Sequence, residues 1–130
     1  MERFKPPIIA LGRLLIAALF LWDGALLLSA PSLSIAYIGG NLPFPTVAFG
    51  GAVAIELVGG IALAIGFMTR WAALALALFC LATALFFHTN WADIDMKIHF
   101  FKNLAMMGGL LQLVAWGGGG WSWDARRAKS

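Results

Sequence analysis

The sequence predicts an all-α fold, an integral membrane four-helix bundle with the N-terminus and C-terminus both cytoplasmic. Three observations carry that expectation. Four stretches are each apolar over about the 20 residues that a helix needs to cross a bilayer. The chain is 62% hydrophobic and 12% charged, with a mean hydropathy of +0.88, where a soluble domain carries about 25% charge. An even number of spans puts both termini and the second interhelical turn on one side. That side holds Arg3, Lys5, Arg70, Arg126, Arg127 and Lys129, against Lys97 and the border residue Lys102 on the other. Positive residues mark the cytoplasmic face.

The elements follow in order as a single transmembrane domain, 1–130. Met1 to Pro7 is a short basic start. The first span covers about 8–28. Leu28-Ser29-Ala30 resembles a cleavage site, but the run is longer than a leader's apolar region and contains Arg13 and Asp23, so it reads as a retained span. Residues 29–45 hold Pro31, Pro43, Pro45 and Gly39-Gly40 and no charge. They read as a loop lying against the membrane surface, in which Leu33 to Ile38 has room for a short interfacial helix. The second span covers about 46–67, Met68-Thr69-Arg70 is a tight turn, and the third span covers about 71–87. Residues 88–97 form a polar loop with Asp93 and Asp95. The fourth span, about 98–116, stops at the run Gly117–Gly120, and a basic tail closes the chain. Trp71, Trp91, Trp116 and Trp121 fall near span ends, as an aromatic belt requires.

Several functions are excluded at this level. The net charge of +3 is explained by topology, and no basic stripe with interleaved aromatics is present, so nucleic acid is not a partner. One cysteine, Cys80, sits in an apolar run, so the chain by itself forms no redox dithiol. No phosphate-binding, dinucleotide or serine-hydrolase motif occurs, and no metal-ligand spacing.

The informative feature is charge inside the spans. An ionised group in hydrocarbon costs roughly 2.5–3.5 kcal/mol unless a partner or a wet cavity receives it. Glu56 lies roughly 15 Å from the outer end of its span, Asp23 roughly 8 Å and Lys102 roughly 6 Å, at 1.5 Å per residue. His88 and His99 mark the outer ends of the third and fourth spans, and His99 shares a helix face with Lys102. These five groups are expected to converge in the outer half of the bundle. Arg13 lies in the inner half, roughly 8 Å from the cytoplasmic end, where it is expected to pair with Glu56 or snorkel to the headgroups. Two readings stand side by side. Ion pairs Asp23–Lys102 and Arg13–Glu56 would fix helix order and nothing else. An outward-facing polar pocket would bind a small ligand or pass protons. Ala52, Glu56 and Gly60 recur at four-residue spacing, which turns the acid toward protein rather than lipid.

The pattern resembles the DoxX family of small four-span bacterial membrane proteins over nearly the whole chain. The resemblance rests on Arg13 with Phe20-Leu21-Trp22-Asp23-Gly24, on Glu56-Leu57-Val58-Gly59-Gly60, and on Gly66-Phe67-Met68-Thr69-Arg70. It extends to His88, to Lys102-Asn103-Leu104 and to the glycine-rich close with Ser122-Trp123-Asp124. Asp23 is this chain's own addition to the family pattern. The resemblance implies a multi-pass protein of the bacterial inner membrane, a subunit or accessory of a quinone-linked or oxidative-stress system. It would have an oxidoreductase partner subunit and no catalytic motif of its own. Quinone is then the expected ligand, and Arg13, Glu56, His88 and Lys102 the residues carried over. A solute-transporting homo-oligomer and a purely structural anchor are the alternatives.

Overall fold

The computed structural model describes residues 1–129, and among them every regular element is helical. A 3₁₀ turn at Glu2–Phe4 leads into α1 (Lys5–Ser29). Then come α2 (Pro31–Gly39), α3 (Pro45–Ile65), α4 (Thr69–Phe87), α5 (Ile94–Trp116) and α6 (Trp123–Lys129). The long helices α1, α3, α4 and α5 are each long and apolar enough to cross a membrane.

The boundaries follow local chemistry. Prolines occupy the first turns of α1, α2 and α3, where the missing N–H costs nothing. Residues 29–45 are therefore mostly helix rather than loop. Pro31 starts a helix, and Gly40 closes it by donating back to the Ala36 and Tyr37 carbonyls. The polar stretch after His88 is also shorter than expected. Asp93 caps α5, its side chain accepting from the Asp95 N–H at 2.9 Å, so the helix begins at Ile94 rather than near residue 98. The tight turn is Gly66-Phe67-Met68, with Thr69 and Arg70 already in α4; Gly66 ends α3 at φ +75°.

Consecutive long helices run antiparallel. α1 packs on α3 in a register set by glycine: a Cβ on Gly24 would lie 2.8 Å from Leu57 Cδ2, and one on Gly60 would lie 2.9 Å from Leu21 Cδ2. α4 packs on α5, while α1 barely touches α5. The core at mid-height joins Ala17, Phe20, Leu63, Ala73, Leu76, Ala77, Cys80, Leu110 and Leu113. Large apolar side chains such as Leu15, Val58, Leu78 and Leu85 face outward. In lipid this costs nothing, and cohesion comes from close packing and hydrogen bonds instead. Trp71, Trp91, Trp116 and Trp121 are all exposed. One end of the bundle, the terminal end, holds both termini and the α3–α4 turn. The far end holds α2 and the α4–α5 loop.

Candidate functional site

At the terminal end a polar cluster is locked together. Arg13, 3% exposed, donates from Nη1 to the Gly118 carbonyl at 3.0 Å and from Nη2 to the Trp121 carbonyl at 2.8 Å. The arginine therefore neither pairs with Glu56 nor snorkels. The glycine run folds back beneath the bundle and offers carbonyls within its reach. A Cβ on Gly66 would collide with Arg13 and Ser122, and one on Gly118 would lie 2.6 Å from Thr69 Oγ1. Asp124 accepts from the Met68 and Thr69 N–H groups, both at 2.8 Å. It thus caps α4 from a distant part of the chain and holds Met68 at φ +46°. Burial pushes the Asp124 carboxyl up, but the N–H groups of Thr69 and Met68 and nearby Arg127 outweigh it and hold it below its ordinary value. Ser122 starts α6, accepting from the Ala125 N–H at 3.2 Å and donating to the Gly119 carbonyl at 2.6 Å. The glycine run is thus more than a helix stop, and the basic tail is a helical turn docked on the α3–α4 corner.

At the far end a cavity of about 560 Å³ opens between the helices, within the range of sites for small ligands. Asp23, Glu56, His88, His99 and Lys102 all line it, and Arg13 does not. Glu56 is 2% exposed, and its Oε2 has no hydrogen-bond partner. Its carboxyl lies near that of Asp23. Asp23 and Lys102 are exposed toward the open side of the cavity. Among the described residues, neither they, Glu56 nor Arg13 takes part in an ion pair, whereas Lys5 pairs with Glu2 at 3.8 Å. The two histidine rings lie 5.4 Å apart, centre to centre. Burial, then His99 and Lys102, lower the His88 value, so the ring is neutral at pH 7 with a buried, unpartnered Nδ1.

Sequence reasoning missed the middle of this site. Asn103 Nδ2 donates to Thr83 Oγ1 at 2.8 Å, and Thr83 in turn donates to the Cys80 carbonyl at 3.1 Å, tying α5 to α4 on the cavity wall. Thr83 carried no sequence signal, because a lone threonine in an apolar helix usually bonds its own backbone. Tyr37 and Ile38 of α2 also line the cavity, and Tyr37 stacks on Phe87 at 5.7 Å. Among the described residues, no group of three or more His, Cys, Asp or Glu side chains is placed to hold a metal ion.

Chemically, the site is an apolar chamber with acids on one side and neutral or cationic donors at its mouth. The DoxX family model matches residues 8–89, and the SURF4 family model matches residues 51–130. The first match takes in Arg13, Asp23, Glu56 and His88; the second takes in Glu56, His88, His99 and Lys102. The chain is 43% identical over 72 residues to Inner membrane protein YqjF of Escherichia coli (strain K12), a stretch that is 55% of this chain and 55% of that protein. It thus spans about half the length of that curated relative. No solved structure matches.

Proposed function

The chain belongs to the DoxX family, a multi-pass protein of the bacterial inner membrane, and from that premise we propose that it is a ligand-binding subunit of a quinone-linked or redox-protective system. One observation carries the reading: a fully buried glutamate with a free carboxyl oxygen faces a largely apolar cavity that also holds Lys102 and His88. A quinone head group matches this arrangement. Lys102 and His88 donate to a ring oxygen at the mouth, and Glu56 with Asp23 exchanges a proton with the opposite side of the ring. Electrons come from a partner oxidoreductase, and each two-electron reduction of the ring takes up two protons. The excess of Lys and Arg at the terminal end supports cytoplasmic termini, with the cavity toward the outer face.

The same geometry weighs against a conduit through one copy of the chain. Leu63, Leu76 and Leu110, each 0% exposed, fill the bundle at mid-height, so a solute path would require an assembly of copies. The anchor reading loses the ion pairs it needs, since none of the four intramembrane charges pairs with another. The test is binding of a tailless benzoquinone to the purified protein in nanodiscs. Wild type binds it, while Glu56→Gln and Lys102→Leu each weaken binding about tenfold without unfolding the protein. Equal binding by all three proteins sinks the proposal.

A further inference from the structure

The cavity has two unlike walls. Asp23 on α1, Glu56 where α3 meets α1, and His99 and Lys102 on α5 make a polar one. Ala48, Gly51 and Ile55 on α3 and Phe79, Ala82 and Phe86 on α4 make an apolar one. The apolar wall is also a seam. α3 and α4 touch where Gly59 meets Leu76, a Cβ on that glycine lying 3.2 Å from the leucine side chain. Nearer the far end they part: Gly51 lines the cavity, yet a Cβ built on it meets nothing within 4 Å. Ile55 and Phe86 beside it are 37% and 55% exposed. The far end itself is covered by α2, where Ile38 is buried and Tyr37 stacks on Phe87.

From this we infer that the cavity takes a single-tailed amphiphile from the membrane, its polar ring beside Glu56 and its apolar tail leaving into the bilayer between α3 and α4, past Gly51. The inference rests on the quinone reading and narrows it to the lipid-soluble, tailed class. The alternation is helical on both sides: residues 48, 51 and 55 and residues 79, 82 and 86 each form one stripe at three- and four-residue spacing. A flexible hydrocarbon tail lying between them replaces lipid contacts with protein contacts, while the charged wall is reserved for the ring.

The test uses the protein in phospholipid nanodiscs with three probes: a benzoquinone carrying an isoprenoid tail, the same ring without a tail, and the isoprenoid alcohol without the ring. Wild type prefers the tailed quinone to the bare ring, and the alcohol displaces it poorly. Gly51→Leu fills the open seam and lowers the preference for the tailed over the bare ring about tenfold. Ala82→Leu, narrowing the same seam from α4, does likewise. Gly12→Leu, also at an open glycine but away from the cavity, leaves the preference unchanged. Several results overturn the inference: equal wild-type affinity for the two quinones, no selective loss in either seam variant, or displacement by the alcohol as effective as by the quinone. Equal affinity leaves the quinone reading standing. Failure of wild type to bind either quinone removes that reading and this inference with it.

Discussion

The two ends of the bundle both hold charged residues in the same membrane and use them in opposite ways. At the terminal end Arg13 and Asp124 spend their hydrogen-bonding capacity on backbone groups of the same chain, so that the α3–α4 turn, the glycine run and α6 become one unit. At the far end Glu56, His88 and Lys102 face a cavity. Among the described residues each end keeps two buried polar atoms without a partner, Arg13 Nε and Thr69 Oγ1 at one and Glu56 Oε2 and His88 Nδ1 at the other, but only the residues of the second pair line the chamber. Buried polar atoms are almost always satisfied. A cluster whose bonds run to the backbone of its own chain reads as architecture, and one whose unpartnered groups line a chamber reads as a site. Depth in the membrane does not separate them; where the donors and acceptors point does.

The contrast breaks first, and hardest, at Arg13. Arg13→Leu leaves the Gly118 and Trp121 carbonyls without their donors and is expected to cost roughly 3 kcal/mol or more, read as a loss of monodisperse protein and a lower unfolding temperature in detergent. Asp124→Ala removes both caps from the start of α4 and is expected to cost about 1–2 kcal/mol. Acid should mimic it. The folded Asp124 value lies below the ordinary 3.8, so its stabilisation is complete above that pH and is lost as pH falls through the lower, folded value. Unfolding of wild type and Asp124→Asn followed below pH 4 should converge; parallel curves would remove Asp124 from the latch.

His88 gives a milder test at the far end. Its folded value lies below 6.5, so on acidification the unfolded chain takes up the proton first, and stability falls as pH drops from 6.5 toward the folded value. His88→Gln should flatten that slope between pH 7 and 5. Glu56→Gln should have the smallest effect on stability, about 1 kcal/mol or less, because no hydrogen bond from a donor is lost, while quinone binding drops. If Glu56→Gln unfolds the protein as Arg13→Leu does, the two ends are alike, and the cavity acid is architectural.

Much of the architecture was legible in the chain. The spans follow from apolar runs, and the ordering of Asp23, Glu56, His88, His99 and Lys102 into one half follows from counting residues along helices of fixed rise. What escaped is local. Residues 29–45 looked like a loop because proline and glycine punctuate them, yet proline at a helix start is as good a signal for helix as against it. Asp93 caps α5, but the polar residues on either side of the helix start, through Lys97, give that stretch the composition of a loop. Thr83 and Asn103 needed the α4–α5 register, which no single helix specifies.

The sequence by itself determined that the chain carries four helices long and apolar enough to cross a membrane, which end its basic residues favour, and which charges lie deep within those helices, because these depend on hydropathy and helical rise alone. Only the tertiary structure decided what those charges do. Arg13 sits on the chain as if free to meet Glu56, but the returning glycine run places two carbonyls nearer, and Glu56 is left beside Asp23 at the edge of a cavity. Partner choice depends on which backbone folds back within about 3 Å, the reach of a hydrogen bond, and that is fixed by packing rather than by spacing along the chain.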